Sequence, residues 1–184
     1  HALKYHFIKN NIKDMDRPYD FSYWGTEKRR DVDGVVSGDV RHTILKEIQD
    51  GMGRFNTRFI GRFSTVKRDM KPTKGMRDLL PILNKTKYTL CFNWKDNKAT
   101  TSRYHEALAC GIVPMVWKDY DITGTLVKSN WQRVESAEEL NEKIKSEDYK
   151  SIYENVHETY KKELLTMDEI YDTFRDKLLQ LINE

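Results

Sequence analysis

Apolar and polar residues alternate along Tyr19-Asp20-Phe21-Ser22-Tyr23 up to Trp24 and stop at Gly25, the pattern of a strand that ends in a turn. Residues 1–18 are polar and end at Arg17-Pro18, so they read as a linker or an incoming edge segment, with the domain proper over 19–184. Residues 41–50 bring Ile44, Leu45 and Ile48 to one face before Gly51, which predicts an amphipathic helix with a glycine stop. A second short strand is expected over 55–60, ending at Gly61, and a long basic loop follows it. Met76 to Leu83 is apolar at helical spacing, with a kink or a new turn required at Pro81. Tyr88-Thr89-Leu90-Cys91-Phe92 is short and apolar enough for a strand buried on both faces.

The second half continues in the same rhythm. Thr101 to Cys110 predicts a helix capped by Thr100 or Thr101 and closed by Gly111. A fourth strand is expected over 112–117 despite Pro114, and a fifth over 131–134. Ser136-Ala-Glu-Glu139 forms a capping box that opens a helix reaching about Lys145. A second box, Thr166-Met-Asp-Glu169, opens a C-terminal helix with Ile170, Phe174, Leu178 and Ile182 in one stripe. Short buried strands alternating with helices predict an α/β fold with a Rossmann-like, doubly wound parallel sheet. In such a sheet, ligands bind beyond the carboxyl ends of the strands, so candidate chemistry is sought in the segments that follow them.

Composition narrows the class without naming a function. With 184 residues, the chain can bury about 70 % of its unfolded surface and needs no disulfide or metal staple. Cys91 and Cys110 lie in apolar surroundings with no metal or redox spacing, which fits a reducing, cytoplasmic compartment. No apolar run approaches the roughly 20 residues of a membrane span, so no membrane partner is expected. His1, His6, His42, His105 and His157 show no metal spacing, and no Walker, GxGxxG or serine-nucleophile motif is present. The net charge of +3 conceals a division: residues 1–100 carry +9 and residues 101–184 carry −6. Within 54–74, Arg54, Arg58, Arg62, Lys67, Arg68, Lys71 and Lys74 face a single acid, Asp69. That stretch is either a solvated face or a surface for a polyanion such as DNA.

Two segments carry candidate chemistry. After the first strand, Gly25-Thr26-Glu27-Lys28-Arg29-Arg30 offers a bare backbone, a hydroxyl and cations suited to phosphate, although basic residues after a glycine also occur in ordinary surface turns. In Thr100-Thr-Ser-Arg103-Tyr-His-Glu106, the arginine and the glutamate are three apart and share one helix face near its N-terminus. Arginine at a helix N-terminus suits phosphate, and a carboxylate one turn on suits the hydroxyls of a ribose. The same spacing equally describes an intrahelical ion pair worth a few tenths of a kcal/mol. Asp119, Asp121 and Thr123, after the fourth strand, either reach sugar hydroxyls or form a solvated turn.

The run Arg103-Tyr-His-Glu-Ala-Leu-Ala-Cys-Gly-Ile-Val-Pro-Met-Val resembles the donor-binding segment in the C-terminal domain of GT-B glycosyltransferases, and the wider pattern resembles the members that glucosylate phage DNA. The resemblance spans roughly residues 19–184, is specific around 103–117 and approximate elsewhere. It implies one half of a GT-B fold that binds a nucleotide sugar, UDP-glucose, with Glu106 on the ribose hydroxyls and Arg103 on the diphosphate. It further implies contacts from Gly25, Thr26, Lys28 and Arg29 to the diphosphate, and Gly61 beside the nucleotide. DNA as acceptor, a catalytic base supplied by a separate N-terminal GT-B domain, and the host cytoplasm as location complete what it implies. It implies no tightly bound cofactor and leaves a divalent cation open. Many retaining members carry a second glutamate eight residues before the first; here that position is Lys98. The expectation is therefore the donor-binding domain of a glycosyltransferase, with a non-catalytic nucleic-acid-binding module using 54–74 as the alternative.

Overall fold

A computed structural model describes residues 16–26, 31–32, 35–36, 39–62, 76–92, 101–121, 124, 127, 129–146 and 148–161, with helical residues at 172, 175–177 and 179–180. Strand β1 (Tyr19–Thr26) is followed by a hairpin of two-residue strands, β2 (Asp31–Val32) and β3 (Val35–Val36), and by helix α1 (Asp39–Gly51). Then come β4 (Thr57–Arg62), α2 (Met76–Leu83), β5 (Thr86–Cys91), α3 (Ser102–Ala109) and β6 (Val113–Trp117). A single 3-10 turn (Asn130–Gln132) leads into β7 (Arg133–Val134), α4 (Ala137–Ser146) and α5 (Tyr149–Lys161).

The main sheet has the order β4-β1-β5-β6-β7, and every pairing in it is parallel. This is the doubly wound arrangement expected from the sequence. The chain moves from β1 outward to β4 and then back across to β5. Right-handed crossovers taken in opposite directions put the intervening helices on opposite faces. One core accordingly joins Phe21, Tyr23 and Phe59 of the sheet to Ile44 and Ile48 of α1, Leu140 of α4 and Val156 of α5. The other joins Trp24 and Ile60 to Leu79 and Leu83 of α2 and Ala107 of α3. Between β1 and β5 the direction of winding reverses, and such a switch point opens a crevice at the carboxyl ends of the strands.

Several expectations are adjusted by the strand pairing. Both β1 and β4 run on through their glycines, because Gly25 and Gly61 are register partners in the β1–β4 ladder. Ser22 looks like an outward polar position but is fully buried; its hydroxyl pairs with Thr86 Oγ1 at 2.7 Å, and Thr86 Oγ1 donates to the Ile82 carbonyl at 2.9 Å. The first half of the expected fifth strand belongs to the 3-10 turn, and only Arg133 and Val134 pair with β6. Arg17, within the 1–18 segment, is buried and donates to the carbonyls of Thr86 at 2.6 Å and Cys110 at 2.9 Å. It thus ties the start of β5 to the end of α3 at the amino edge of the sheet. Residues 162–171, with the second capping box, and the stripe residues Phe174, Leu178 and Ile182 lie outside the described residues.

Candidate functional site

Helix α3 places the two charged candidates, and its ends explain how it is held. At its N-terminus, Thr101 occupies the cap position, but its side chain makes no cap bond; instead its backbone N–H donates to the Tyr120 hydroxyl at 2.6 Å, with Thr101 Oγ1 3.2 Å from the same oxygen. At its C-terminus, Gly111 takes φ 70°, its N–H reaches the Leu108 carbonyl at 3.0 Å, and the Ile112 N–H reaches Ala107 at 2.9 Å. That is the Schellman closure expected of a glycine after the last helical turn. The helix therefore begins at the carboxyl edge of the sheet, with its positive end on the same side as the switch-point crevice.

Arg103 lies over the end of β1. Its guanidinium is 4.4 Å from the centroid of the Tyr23 ring and 5.6 Å from that of Trp24, and Nη1 donates to the Tyr23 hydroxyl at 3.0 Å. Gly25 makes this seat possible: with φ 145°, it is a position where a Cβ would sit 2.5 Å from Arg103 Nη2. Gly61 is required one strand over, because at φ 146° its Cβ would fall on the Gly25 carbonyl oxygen. Arg103 Nε is buried without a hydrogen-bond partner, and among the described residues no carboxylate forms an ion pair with this side chain. Burial works against its charge, but Tyr23, Cys91 and Glu106 outweigh it and hold the guanidinium above its ordinary value. The site thus keeps a permanent cation with unused donor capacity.

Glu106 is one turn further along α3. Its Oε2 accepts from the Trp24 indole N–H at 3.0 Å. The intrahelical Arg103–Glu106 pair that the spacing allows is not formed; both side chains turn to β1 instead. Cys91, at the end of β5, lies in the fields of both charges, and burial pushes its thiol up to about 12, with Arg103 lowering it and Glu106 raising it. Burial likewise lowers His105 and raises Tyr120.

Of the other sequence candidates, Gly25 and Thr26 are the last two residues of β1, not part of a following turn, and Gly61 lies within β4. Lys28, Arg29 and Lys98 are outside the described residues, as is all of the basic stretch beyond Arg62. Asp121 is neither solvated nor free for a sugar. It is 2 % exposed at φ 45°, its carboxylate accepts from the Val127 N–H at 2.7 Å, and its carbonyl accepts from Arg133 at 2.9 Å. Tyr23 and Trp24 were invisible as site residues in the sequence, because the contacts that matter are 80 and 82 residues away along the chain. Among the described residues, no group of three or more His, Cys, Asp or Glu could hold a metal, and no helix is long and apolar enough to cross a membrane.

The α/β unit thus carries a cation and a carboxylate at the switch point of a parallel sheet, and its fold has counterparts among solved structures. The fold is that of one half of a GT-B glycosyltransferase, similar to the T4 phage β-glucosyltransferase. Against the crystal structure described as the DNA-modifying enzyme β-glucosyltransferase, with and without its substrate uridine diphosphoglucose, the TM-score is 0.56 at 17 % identity. That match covers 79 % of this chain and 47 % of the enzyme. Against the T4 phage enzyme in complex with UDP-glucose, the TM-score is 0.53 at 16 % identity over 85 % of this chain and 49 % of the other. The chain thus spans about half the length of these structures, and what they share at this identity is the fold. No family model and no curated protein sequence matches the chain.

Proposed function

We propose that the chain is the donor-binding unit of a glycosyltransferase that takes glucose from UDP-glucose. The observation that carries this reading is the Arg103 guanidinium, seated on the bare backbone of Gly25 at the switch point, with a buried unpartnered Nε and no paired carboxylate among the described residues. A cation held in that state is complemented by an anionic ligand, and the N-terminus of α3 adds a second positive field on the same edge. Arg103 would bind the diphosphate, joined by Thr26, Lys28 and Arg29 from the end of β1 and the residues after it. Glu106 keeps Oε1 for the hydroxyls of a ribose, while Gly61 would lie beside the nucleotide. As the glycosidic bond breaks, negative charge grows on the diphosphate, and fixed positive groups aimed at it lower the barrier. The catalytic base would come from a second, N-terminal GT-B domain. DNA is the proposed acceptor, on the strength of the DNA-modifying enzyme with the same fold.

Isothermal calorimetry with UDP and UDP-glucose tests the donor site. Binding by the wild type is expected, weakened roughly 10- to 100-fold in Glu106→Ala, as for loss of hydrogen bonds to a charged acceptor. No heat with either nucleotide, or an unchanged affinity in Glu106→Ala, would overturn it.

A further inference from the structure

Tyr23 and Trp24 are consecutive, and consecutive strand residues face opposite sides of a sheet. They accordingly belong to different cores, Tyr23 with α1, α4 and α5, and Trp24 with α2. Each nevertheless reaches α3 at the carboxyl edge: Tyr23 holds Arg103, and Trp24 holds Glu106. Trp24 is 6 % exposed and packed among Ile60, Leu79 and Ala107, so its indole is a fixed donor that cannot follow the carboxylate if it swings.

That fixed donor has a specific chemical effect. Glu106 stands three residues from Arg103 on one helix face, the spacing at which such a pair forms an ion pair unless something else holds the two groups. The indole N–H occupies Oε2 at 3.0 Å, keeps the carboxylate off Arg103 and sets the plane in which Oε1 is presented. An ionised carboxylate can only accept hydrogen bonds, so Oε1 selects a ligand group that donates them.

We propose that Trp24 is a specificity-determining positioning residue: by holding Oε2 of Glu106, it aims Oε1 so that the site selects a nucleoside diphosphate with both ribose hydroxyls over its 2′-deoxy counterpart. The inference rests on the donor-binding function proposed above. Without the indole N–H, Glu106 turns onto Arg103, and two ligand-directed groups neutralise each other. Loss of Trp24 therefore weakens the diphosphate and erases the hydroxyl preference together, and it does so only through Glu106.

The test is calorimetry of the full chain with UDP and 2′-deoxy-UDP, in the wild type, Trp24→Phe, Glu106→Ala and the double variant. The wild type is expected to prefer UDP by about tenfold or more, the size of one hydrogen bond to a charged group. The preference falls to about twofold or less in Trp24→Phe and in Glu106→Ala, and the double variant matches Glu106→Ala, as a pair acting through one group requires. Replacing Trp24 by benzothienylalanine, which keeps the ring shape and lacks the N–H, gives the same loss and serves if Trp24→Phe does not fold. Retained preference in either N–H-deficient protein, or additive losses in the double variant, overturns the role of Trp24 while donor binding stands. Failure of the wild type to bind either nucleotide overturns the donor-binding function itself, and this inference with it.

Discussion

The His157 imidazole is stacked on Tyr153 with ring centroids 4.1 Å apart, and its Nε2 is buried without a partner. Burial, and then the Arg17 cation, pull it down to about 4, against which a backbone bond to Ile112 acts in part. Between pH 6.5 and about 4, the unfolded chain takes up a proton that the folded chain refuses, so stability falls as the pH drops through that window and levels off below it. Urea denaturation is expected to show about 2 kcal/mol less stability from this group at pH 5 than at pH 7.5, and the His157→Phe protein should lack that component. Equal pH profiles for the two proteins would exclude this role. None of this is legible in the sequence, where His157 has no metal spacing and its partner Arg17 is 140 residues upstream. That Arg103 and Glu106 share one face was legible because a helix brings residues three apart together, whereas their ligand roles rest on the resemblance of the segment to GT-B donor sites. Their actual partners were not legible, because tertiary pairing to β1 overrides the local ion pair that the spacing also allows.

At the scale of elements, the parallel pairing of β1 and β4 shapes the edge on which the site lies. Gly25 and Gly61 face each other across that ladder, each in the left-handed half of φ. A Cβ at Gly61 would fall on the Gly25 carbonyl, a clash of backbone that no rotamer relieves. Gly61→Ala should therefore destabilise the protein by about 1–3 kcal/mol or more and shift the thermal midpoint downward, since both strain and a displaced strand are involved. A midpoint equal to that of the wild type would show that the strands are not paired in this register. The sequence marks both glycines but as strand ends, because a glycine usually punctuates a strand and only the neighbouring strand reveals that it is needed inside one. Helices with a regular apolar stripe and a stop signal, such as α1 and α3, are readable from the chain. Helix α5 was missed: Ile152, Tyr153 and Val156 are its apolar contacts, set among Lys, Ser, Glu and Asn, with no capping box before them. The β2–β3 hairpin was missed as well, for two-residue strands have no period to read.

Over the whole molecule, the candidate site joins the two oppositely charged halves of the chain. Tyr23, Trp24 and Gly25 come from the half with net charge +9, and Arg103 and Glu106 from the half with −6. The doubly wound sheet brings them together at the place where its winding reverses; the alternation of strands and helices points to the carboxyl ends of the strands, and the strand order shows that the reversal lies between β1 and β5. The same fold, over about half their length, is found in structures of T4 phage β-glucosyltransferase, one of them with UDP-glucose bound. The central claim is that a nucleoside diphosphate binds at this edge. Trp24 reports on it directly, because its indole N–H is bonded to Glu106, and the chain has four tryptophans whose indole signals are separable by nuclear magnetic resonance. Titration with UDP is expected to shift the Trp24 indole signal, assigned by its loss in Trp24→Phe, saturably and more than the other indoles. A Trp24 signal that stays in place while UDP saturates the protein, or that moves equally in Glu106→Ala, would contradict the assignment of this edge as the donor site.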